Sequence, residues 1–230
     1  DPFDIEAATE LSRPTLADID GDGDLDLLTQ YRYYEGYYYI TLFENIGEDP
    51  ANPYFDISSP NHISSISEMN STAPVLTTGD LDGDSDIDII AGFYKQTFPY
   101  GGYFKYIEND NPDTLSFLTP TELSFYTYYG SYFPTSGDLD DDGNTDLLVW
   151  DEYYDNSQSR NVSFFRYYKN DGSPNFTEIT SDIGLGSSST PVSELSGDLT
   201  LVDLDGDGDL DLIAVETNTN TFYYYENTTN

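Results

Sequence analysis

Four copies of one acidic motif recur along this 230-residue chain at nearly even spacing, and no other feature constrains the fold as strongly. The copies read DIDGDGDLDLL from Asp18, DLDGDSDIDII from Asp80, DLDDDGNTDLL from Asp138 and DLDGDGDLDLI from Asp203. Their first residues are 62, 58 and 65 positions apart. A period of this size is typical of folds that repeat one supersecondary unit.

The residues between the motifs favour short β-strands. Each motif runs into two or three apolar residues and a stretch rich in Tyr and Phe, which ends at an Asn-containing turn. β-Branched and aromatic residues favour strands, and Gly, Pro, Asn and Asp separate these segments. In the first repeat we predict strands at residues 15–17, 26–33, 37–44 and 54–57, and we find no sustained helical spacing of apolar residues. Four short strands in each repeat predict the blades of a β-propeller.

The two ends of the chain predict how such a ring closes. The fourth repeat stops at YYYENTTN, where the others continue into a fourth strand, and the N-terminal PFDI resembles the PYFDI of the first repeat. We therefore expect residues 3–8 to supply the outer strand of the last blade. The predicted fold is all-β: one β-propeller domain over residues 1–230, with four blades of four antiparallel strands. The alternative is a larger ring of which these blades are a part.

The spacing of carboxylates within each motif is typical of a metal-binding loop. Counted from the first aspartate, positions 1, 3, 5 and 9 are Asp in all four copies. Two carboxylates about 5 Å apart repel by roughly 3 kcal/mol at an effective dielectric of about 20, so such a loop needs a cation. Side chains at positions 1, 3 and 5, a backbone carbonyl at position 7 and both oxygens of position 9 give the hard oxygen ligands that Ca²⁺ prefers. The lack of nitrogen and sulfur ligands disfavours Zn²⁺ and Cu²⁺.

We therefore predict about four Ca²⁺ ions, one for each repeat. Loops one to four are residues 18–26, 80–88, 138–146 and 203–211. The candidate metal ligands are positions 1, 3, 5, 7 and 9 of these loops: Asp18, Asp20, Asp22, Asp24, Asp26, Asp80, Asp82, Asp84, Asp86, Asp88, Asp138, Asp140, Asp142, Asn144, Asp146, Asp203, Asp205, Asp207, Asp209 and Asp211. Ser85 replaces the position 6 glycine in loop two, so we expect this loop to be the most strained and the weakest site. The alternative is that these are acidic turns that bind no metal. Four copies with the same spacing of aspartates within the motif disfavour it.

Composition excludes several classes of partner. The formal net charge is −37, from 7 Lys and Arg against 44 Asp and Glu, which argues against binding to nucleic acid or anionic membranes. Aromatic residues make up 16% of the chain, enough to fill a core, so we expect a folded protein rather than a disordered acidic one. No apolar run approaches the roughly 20 residues of a membrane helix, so we expect no membrane insertion.

At these residues the chain resembles the FG-GAP/VCBS repeat family. The resemblance rests on DIDGDGDLDLL and its three copies, and it covers nearly the whole chain. It implies a β-propeller like that of the integrin α-subunit head, with Ca²⁺ bound by the aspartates at positions 1, 3, 5 and 9 in a hairpin between two strands. The commonest ring of that family has seven blades, whereas four repeats are present here. EF-hands and dockerins share the start of the loop, but strand-like sequences follow it here.

The functional expectation is a non-enzymatic extracellular or cell-surface module, because the motifs leave little for catalysis. The sole histidine, His62, lies in a polar context, no Gly-x-Ser-x-Gly elbow occurs, and the paired acids belong to the loops. We expect a structural or adhesive role, with self-association into a surface layer or fibril. A lectin-like carbohydrate- or protein-binding module is the alternative, and a polysaccharide-degrading enzyme is less favoured. Candidate glycosylation sites lie at four Asn-x-Ser/Thr sequons: Asn70, Asn161, Asn175 and Asn227.

Overall fold

The structure, a computed structural model, is all-β, which confirms the predicted fold class. It describes residues 13–33, 37–47, 53–56, 61–66, 73–95, 101–127, 132–157, 159–179, 199–216 and 221–228. Within these residues it has seventeen strands, and a three-residue 3₁₀ turn, Pro112–Thr114, is their one helical element. No helix in the described part of the chain has the length and apolarity to cross a bilayer.

Each sequence repeat forms one antiparallel sheet. Sheet one has the order β1-β2-β3-β4, made of β1 (Thr15–Ala17), β2 (Asp26–Tyr33), β3 (Tyr37–Phe43) and β4 (Asn61–Ile66). Sheet two has the order β5-β6-β7-β10, with a small β8-β9 ribbon beside it: β5 (Val75–Gly79), β6 (Asp88–Lys95), β7 (Gly101–Ile107), β8 (Asn109–Asn111), β9 (Ser116–Phe117) and β10 (Thr121–Thr127).

The third and fourth repeats follow the same plan. Sheet three has the order β11-β12-β13-β14: β11 (Pro134–Gly137), β12 (Asp146–Asp155), β13 (Arg160–Asn170) and β14 (Phe176–Ile179). Sheet four has three strands among the described residues: β15 (Leu199–Val202), β16 (Asp211–Glu216) and β17 (Thr221–Tyr225). Residues 3–8, the predicted outer strand of this sheet, lie outside the described residues.

The acidic motifs connect the first two strands of every sheet. The residue before each loop pairs with the position 9 aspartate that begins the next strand. These pairs are Ala17 with Asp26, Gly79 with Asp88, Gly137 with Asp146 and Val202 with Asp211. All four loops therefore close equivalent hairpins, as the sequence predicts.

Successive sheets pack face to face, and three apolar clusters fill the spaces between them. On β6, Ile89 joins the cluster shared with sheet one, whereas Ile90 joins the cluster shared with sheet three. On β12, Leu147 likewise faces sheet two and Leu148 faces sheet four. Because a strand points successive side chains to opposite faces, a sheet covered on both faces needs such continuous apolar runs.

The predicted fourth strand of the first repeat is wrong. Residues 54–56 form only an isolated bridge, between Phe55 and Asn45, and the fourth strand is β4. The Asn45 side chain accepts hydrogen bonds from the backbone N–H groups of Gly47 and Tyr54, which holds residues 54–56 beside the end of the β3 hairpin. The outer strand must therefore come from residues further along the chain.

Candidate metal centre

The position 9 aspartate is the structural centre of each loop. Its Oδ2 accepts a hydrogen bond from the backbone N–H of position 2 at 3.1 to 3.2 Å, in all four loops. Its Oδ1 accepts from the backbone N–H of the Asn that ends the Tyr-rich hairpin, at 2.8 to 2.9 Å. The four residues, Asp26, Asp88, Asp146 and Asp211, are at most 1% exposed. Each carboxylate thus ties the start of its loop to the end of the neighbouring hairpin.

The loop backbone needs left-handed conformations at positions 4 and 6. Both positions have positive φ in all four loops, and Gly occupies six of these eight positions. The exceptions are Asp141, with φ of +57°, and Ser85, with φ of +80°. Because a left-handed residue with a Cβ costs roughly 1–2 kcal/mol, Ser85 strains loop two, and Asp141 places a similar cost on loop three. Loop two is therefore strained as expected, but it is not singled out among the loops.

The loop carboxylates cluster in four groups that could hold a metal ion. In each group, three carboxylates offer one oxygen apiece, and these oxygens lie within 4.8 Å of one another. The groups are Asp18, Asp20 and Asp22; Asp80, Asp82 and Asp88; Asp138, Asp140 and Asp146; and Asp203, Asp205 and Asp207. Positions 1 and 3 therefore come together in every loop, with position 5 as the third member in loops one and four and position 9 in loops two and three.

The position 7 aspartates, Asp24, Asp86 and Asp209, lie outside these groups. In all four loops the backbone N–H of position 7 donates to the position 5 carboxylate, at 2.9 to 3.0 Å. Asn144 also donates from its side-chain amide to Asp142, at 2.9 Å. The use of the position 7 backbone carbonyl as a ligand stays a prediction.

Two buried carboxylate oxygens in the loops fit a cation. Asp18 Oδ1 and Asp140 Oδ1 are buried and have no hydrogen-bond partner within the described structure. An ionised oxygen that is buried without a partner is costly, whereas a hard divalent cation would bind it directly. The all-oxygen donor set therefore fits Ca²⁺, which would supply the positive charge that the loops lack.

Burial and mutual repulsion make several loop carboxylates hard to ionise. Burial raises the pKa of Asp26 to about 6 and that of Asp88 to about 7, although backbone N–H groups oppose the shift and neighbouring loop aspartates add to it. Burial also raises the pKa of Tyr106, whose hydroxyl donates to Asp82 and Asp88, both at 3.1 Å. Burial and the repulsion between clustered carboxylates both favour the protonated form, and this is why the pKa values are raised.

At three of the four hairpin ends an asparagine also joins neighbouring repeats, a role that the sequence analysis missed. The side-chain amide of Asn109 donates to the carbonyl of Ile19 at 3.0 Å, across the boundary between sheets two and one. Asn170 donates in the same way to Leu81 at 2.8 Å, and Asn227 donates to Leu139 at 3.1 Å. The recurring Asn in the turn motifs is the signal that could have revealed this contact.

Loop three differs from the others because a lysine contacts it. Lys169 Nζ lies 2.8 Å from Asp142 Oδ2 and also pairs with Asp140 Oδ2. These contacts lower the pKa of Asp142 and raise that of Lys169. In loops one and two the equivalent residues are Glu44 and Glu108, whose pKa values are raised by burial and by the loop aspartates.

The remaining predicted sites fall in different environments. Asn175 is exposed, whereas Asn227 is 3% exposed and uses its amide to hold Leu139, so the geometry argues against a glycan at Asn227. Asn161 lies in β13, and Asn70 falls outside the described residues. His62, expected in a polar loop, lies in β4 and pairs with Thr41 of β3.

A comparison with models of protein families agrees with the repeat structure. A family model described as FG-GAP-like repeat matches residues 80–149 and 138–214. No curated protein matches the chain in sequence. A solved structure of an Agrocybe aegerita lectin, described as recognising non-reducing terminal N-acetylglucosamine, aligns with 12% identity and a TM-score of 0.32, covering 96% of this chain and 82% of that one. The family matches span more than half of the chain and include loops two, three and four, so the chain belongs to the FG-GAP-like repeat family.

Proposed function

We propose that this protein is a calcium-binding β-propeller domain that serves as a non-enzymatic structural or adhesive module outside the cell. The observation that carries the proposal is the presence of four equivalent hairpin loops, each with three carboxylates whose oxygens lie within 4.8 Å of one another. About four ions, one for each repeat, would offset the repulsion within these loops. The net charge of −37 fits a protein that uses many of its carboxylates as ligands.

The residues that would hold calcium follow from the loop geometry. Positions 1 and 3 would bind through side-chain oxygens in every loop, joined by the carboxylate at position 5 or 9. Position 7 would add its backbone carbonyl. In loops two and three the position 9 carboxylate already accepts two backbone hydrogen bonds, so it would link a bound ion directly to the hairpin behind the loop.

Calcium titration and chelation test this proposal. We expect calorimetry to detect saturable Ca²⁺ uptake, and we expect EDTA to lower the Tm, since a ligand that binds only the folded state stabilises it. The double variant D20N/D22N should lose about one ion, whereas E122Q, at an exposed position of β10, should retain them all. Absence of calcium uptake at millimolar concentration, with a Tm unchanged by EDTA, would contradict the proposal.

We also propose that sheet four packs against sheet one to close a ring of four blades. At position 2, Ile19, Leu81 and Leu139 are at most 5% exposed, whereas Leu204 of the last repeat is 56% exposed. The position 8 residue of one loop also packs against the residue that precedes the previous loop. Leu210, for example, would lie 2.5 Å from a Cβ placed on Gly137.

The matching pair at the closing junction is Leu25 with Val202, and both side chains are exposed in the structure, Leu25 by 54% and Val202 by 37%. Arg13 of the first repeat lies over the ring of Phe133 in the third, at 4.5 Å, so repeats one and three approach each other as opposite blades of a small ring would. Residues 3–8 would then supply the outer strand of sheet four, and residues 1–230 would form one domain.

Cross-linking tests the closure. Because the chain contains no cysteine, any disulfide must form between the introduced cysteines. We expect the variant L25C/V202C to form a disulfide within one chain under dilute oxidising conditions. The variant G79C/T145C, at a junction already in contact, is the positive control. Cross-links that form only between chains would contradict closure and would indicate head-to-tail assembly through the same two surfaces.

A further inference from the structure

One position next to the loops breaks the symmetry of the four repeats. The residue before the hairpin Asn is glutamate in three repeats, at Glu44, Glu108 and Glu226, but it is Lys169 in the third. The loops otherwise share the same aspartates at positions 1, 3, 5 and 9. The third repeat has therefore exchanged a negative charge beside its loop for a positive one.

The lysine contacts two of the residues that would bind calcium. Its Nζ lies 2.8 Å from Asp142 Oδ2, at position 5, and pairs with Asp140 Oδ2, at position 3. Lys169 ends β13 next to Asn170, whose backbone N–H donates to Asp146, so the same hairpin end that supports the loop also delivers the ammonium group.

We propose that Lys169 is an internal counter-ion for loop three, which keeps this loop closed without calcium and makes it the weakest calcium site of the four. This inference rests on the proposed calcium-binding function. It also changes the expectation from sequence that loop two, with Ser85, is the weakest site.

The physical reason is competition for the same oxygens. A cation entering loop three must share the carboxylates of Asp140 and Asp142 with an ammonium group, or displace that group into solvent. Asp140 Oδ1 stays buried and without a hydrogen-bond partner, so the loop retains one oxygen directed at a cation and its affinity is lowered rather than abolished. The other loops hold a glutamate at this position, and calcium there meets no competing positive charge from it.

The test compares calcium binding by the wild-type protein, K169M and K169E. For the wild type we expect three tighter uptake steps and one that is at least tenfold weaker, measured by calorimetry with ion counting by native mass spectrometry. K169E restores the glutamate of the other repeats, and K169M removes the charge with little change in length. Both should strengthen the weak step at least tenfold, whereas K95M, at the exposed end of β6, should leave all steps unchanged.

Two further measurements locate the effect. D138N, in loop three, should remove the weak step from the wild type and a tight step from K169E. In EDTA, K169M should have a lower Tm than the wild type, because the loop has lost the ammonium group that pairs with Asp140 and Asp142, and calcium should narrow that difference.

The outcomes separate this inference from the calcium proposal itself. Four steps of equal affinity in the wild type, or an unchanged weak step in both Lys169 variants, would overturn the inference while the calcium proposal stands. Loss of a tight step from wild type on introducing D138N would also overturn it. Absence of uptake by every variant would instead overturn the proposed function.

Discussion

At the scale of single residues, the position 9 aspartates combine two tasks. Each accepts two backbone hydrogen bonds from different parts of its repeat, and at Asp146 the hydroxyl of Tyr167 adds a third, at 2.8 Å. A buried carboxylate with this many donors stabilises the hairpin even before any metal binds. The sequence identifies these residues as candidate ligands, but their structural role is visible only when the hairpin Asn is seen to lie beside them.

Replacing Asp146 by Asn should separate the two tasks. D146N turns one acceptor into a donor that faces a backbone N–H, so we expect the free energy of unfolding to fall by about 2–3 kcal/mol. The loss should persist in EDTA, where no calcium contributes. Urea unfolding measures it, and D110N, on exposed β8, is the control. Equal stability of D146N and wild type in EDTA would show that the aspartate acts only through the metal.

Ser85 is the residue at which loop two departs from the others. Its φ of +80° lies in the left-handed region, where glycine carries no penalty. We expect S85G to raise the free energy of unfolding by about 1 kcal/mol, because relief of strain outweighs the greater freedom of the unfolded chain. S85A keeps the strain and should bring no gain, and equal thermal shifts for the two variants would contradict this explanation.

At the scale of elements, contacts between sheets depend on small residues beside the loops. A Cβ placed on Gly79 of β5 would lie 2.6 Å from Cγ2 of Thr145 in loop three. We expect G79A to lower the free energy of unfolding by about 1–3 kcal/mol, a typical cost of overpacking. T145S removes the clashing methyl group, so the double variant G79A/T145S should recover most of the loss. Thermal melts of the two single variants and the double variant measure these effects. If the losses of G79A and T145S add in the double variant, a direct clash is contradicted.

The elements also show where local sequence is insufficient. The hairpin strands β2, β3, β6 and β7 follow from apolar and aromatic runs that flank clear turns. The outer strands are harder to predict. Which segment becomes the outer strand depends on whether an earlier segment already pairs with the end of the hairpin. In repeat three the first extended segment after the turn is β14, whereas in repeat one residues 54–56 pair with that end and β4 takes the outer position.

At the scale of the whole molecule, negative charge controls the response to pH. In the calcium-free protein, burial and neighbouring aspartates raise the pKa of Asp26 to about 6 and that of Asp88 to about 7. Unfolded aspartate has a pKa near 3.9, so between about pH 4 and 7 the folded state binds more protons than the unfolded state. By linkage, stability in EDTA must then fall as the pH rises through this range.

We therefore expect the Tm in EDTA to be lower at pH 7.5 than at pH 5.5, by several degrees. With saturating calcium the trend should reverse, because metal binding requires deprotonated carboxylates and strengthens as protons leave. Thermal melts at the two pH values, with and without calcium, measure this crossover. A Tm in EDTA that rises with pH would contradict the raised pKa values.

The sequence by itself determined the features that depend on local chemistry. These are the repeat, the four loops, the hairpin strands and the carboxylates at positions 1 and 3 that come together in each loop. The tertiary structure decided which residues distant in the chain meet. Across repeats these are Asn109 with Ile19, and Ile89 and Ile90 with different neighbours. Within the third repeat, Lys169 meets Asp140. The physical reason is that turn and strand preferences act between residues close in the chain. Contacts between sheets join residues tens of positions apart, and these exist only once the sheets have packed.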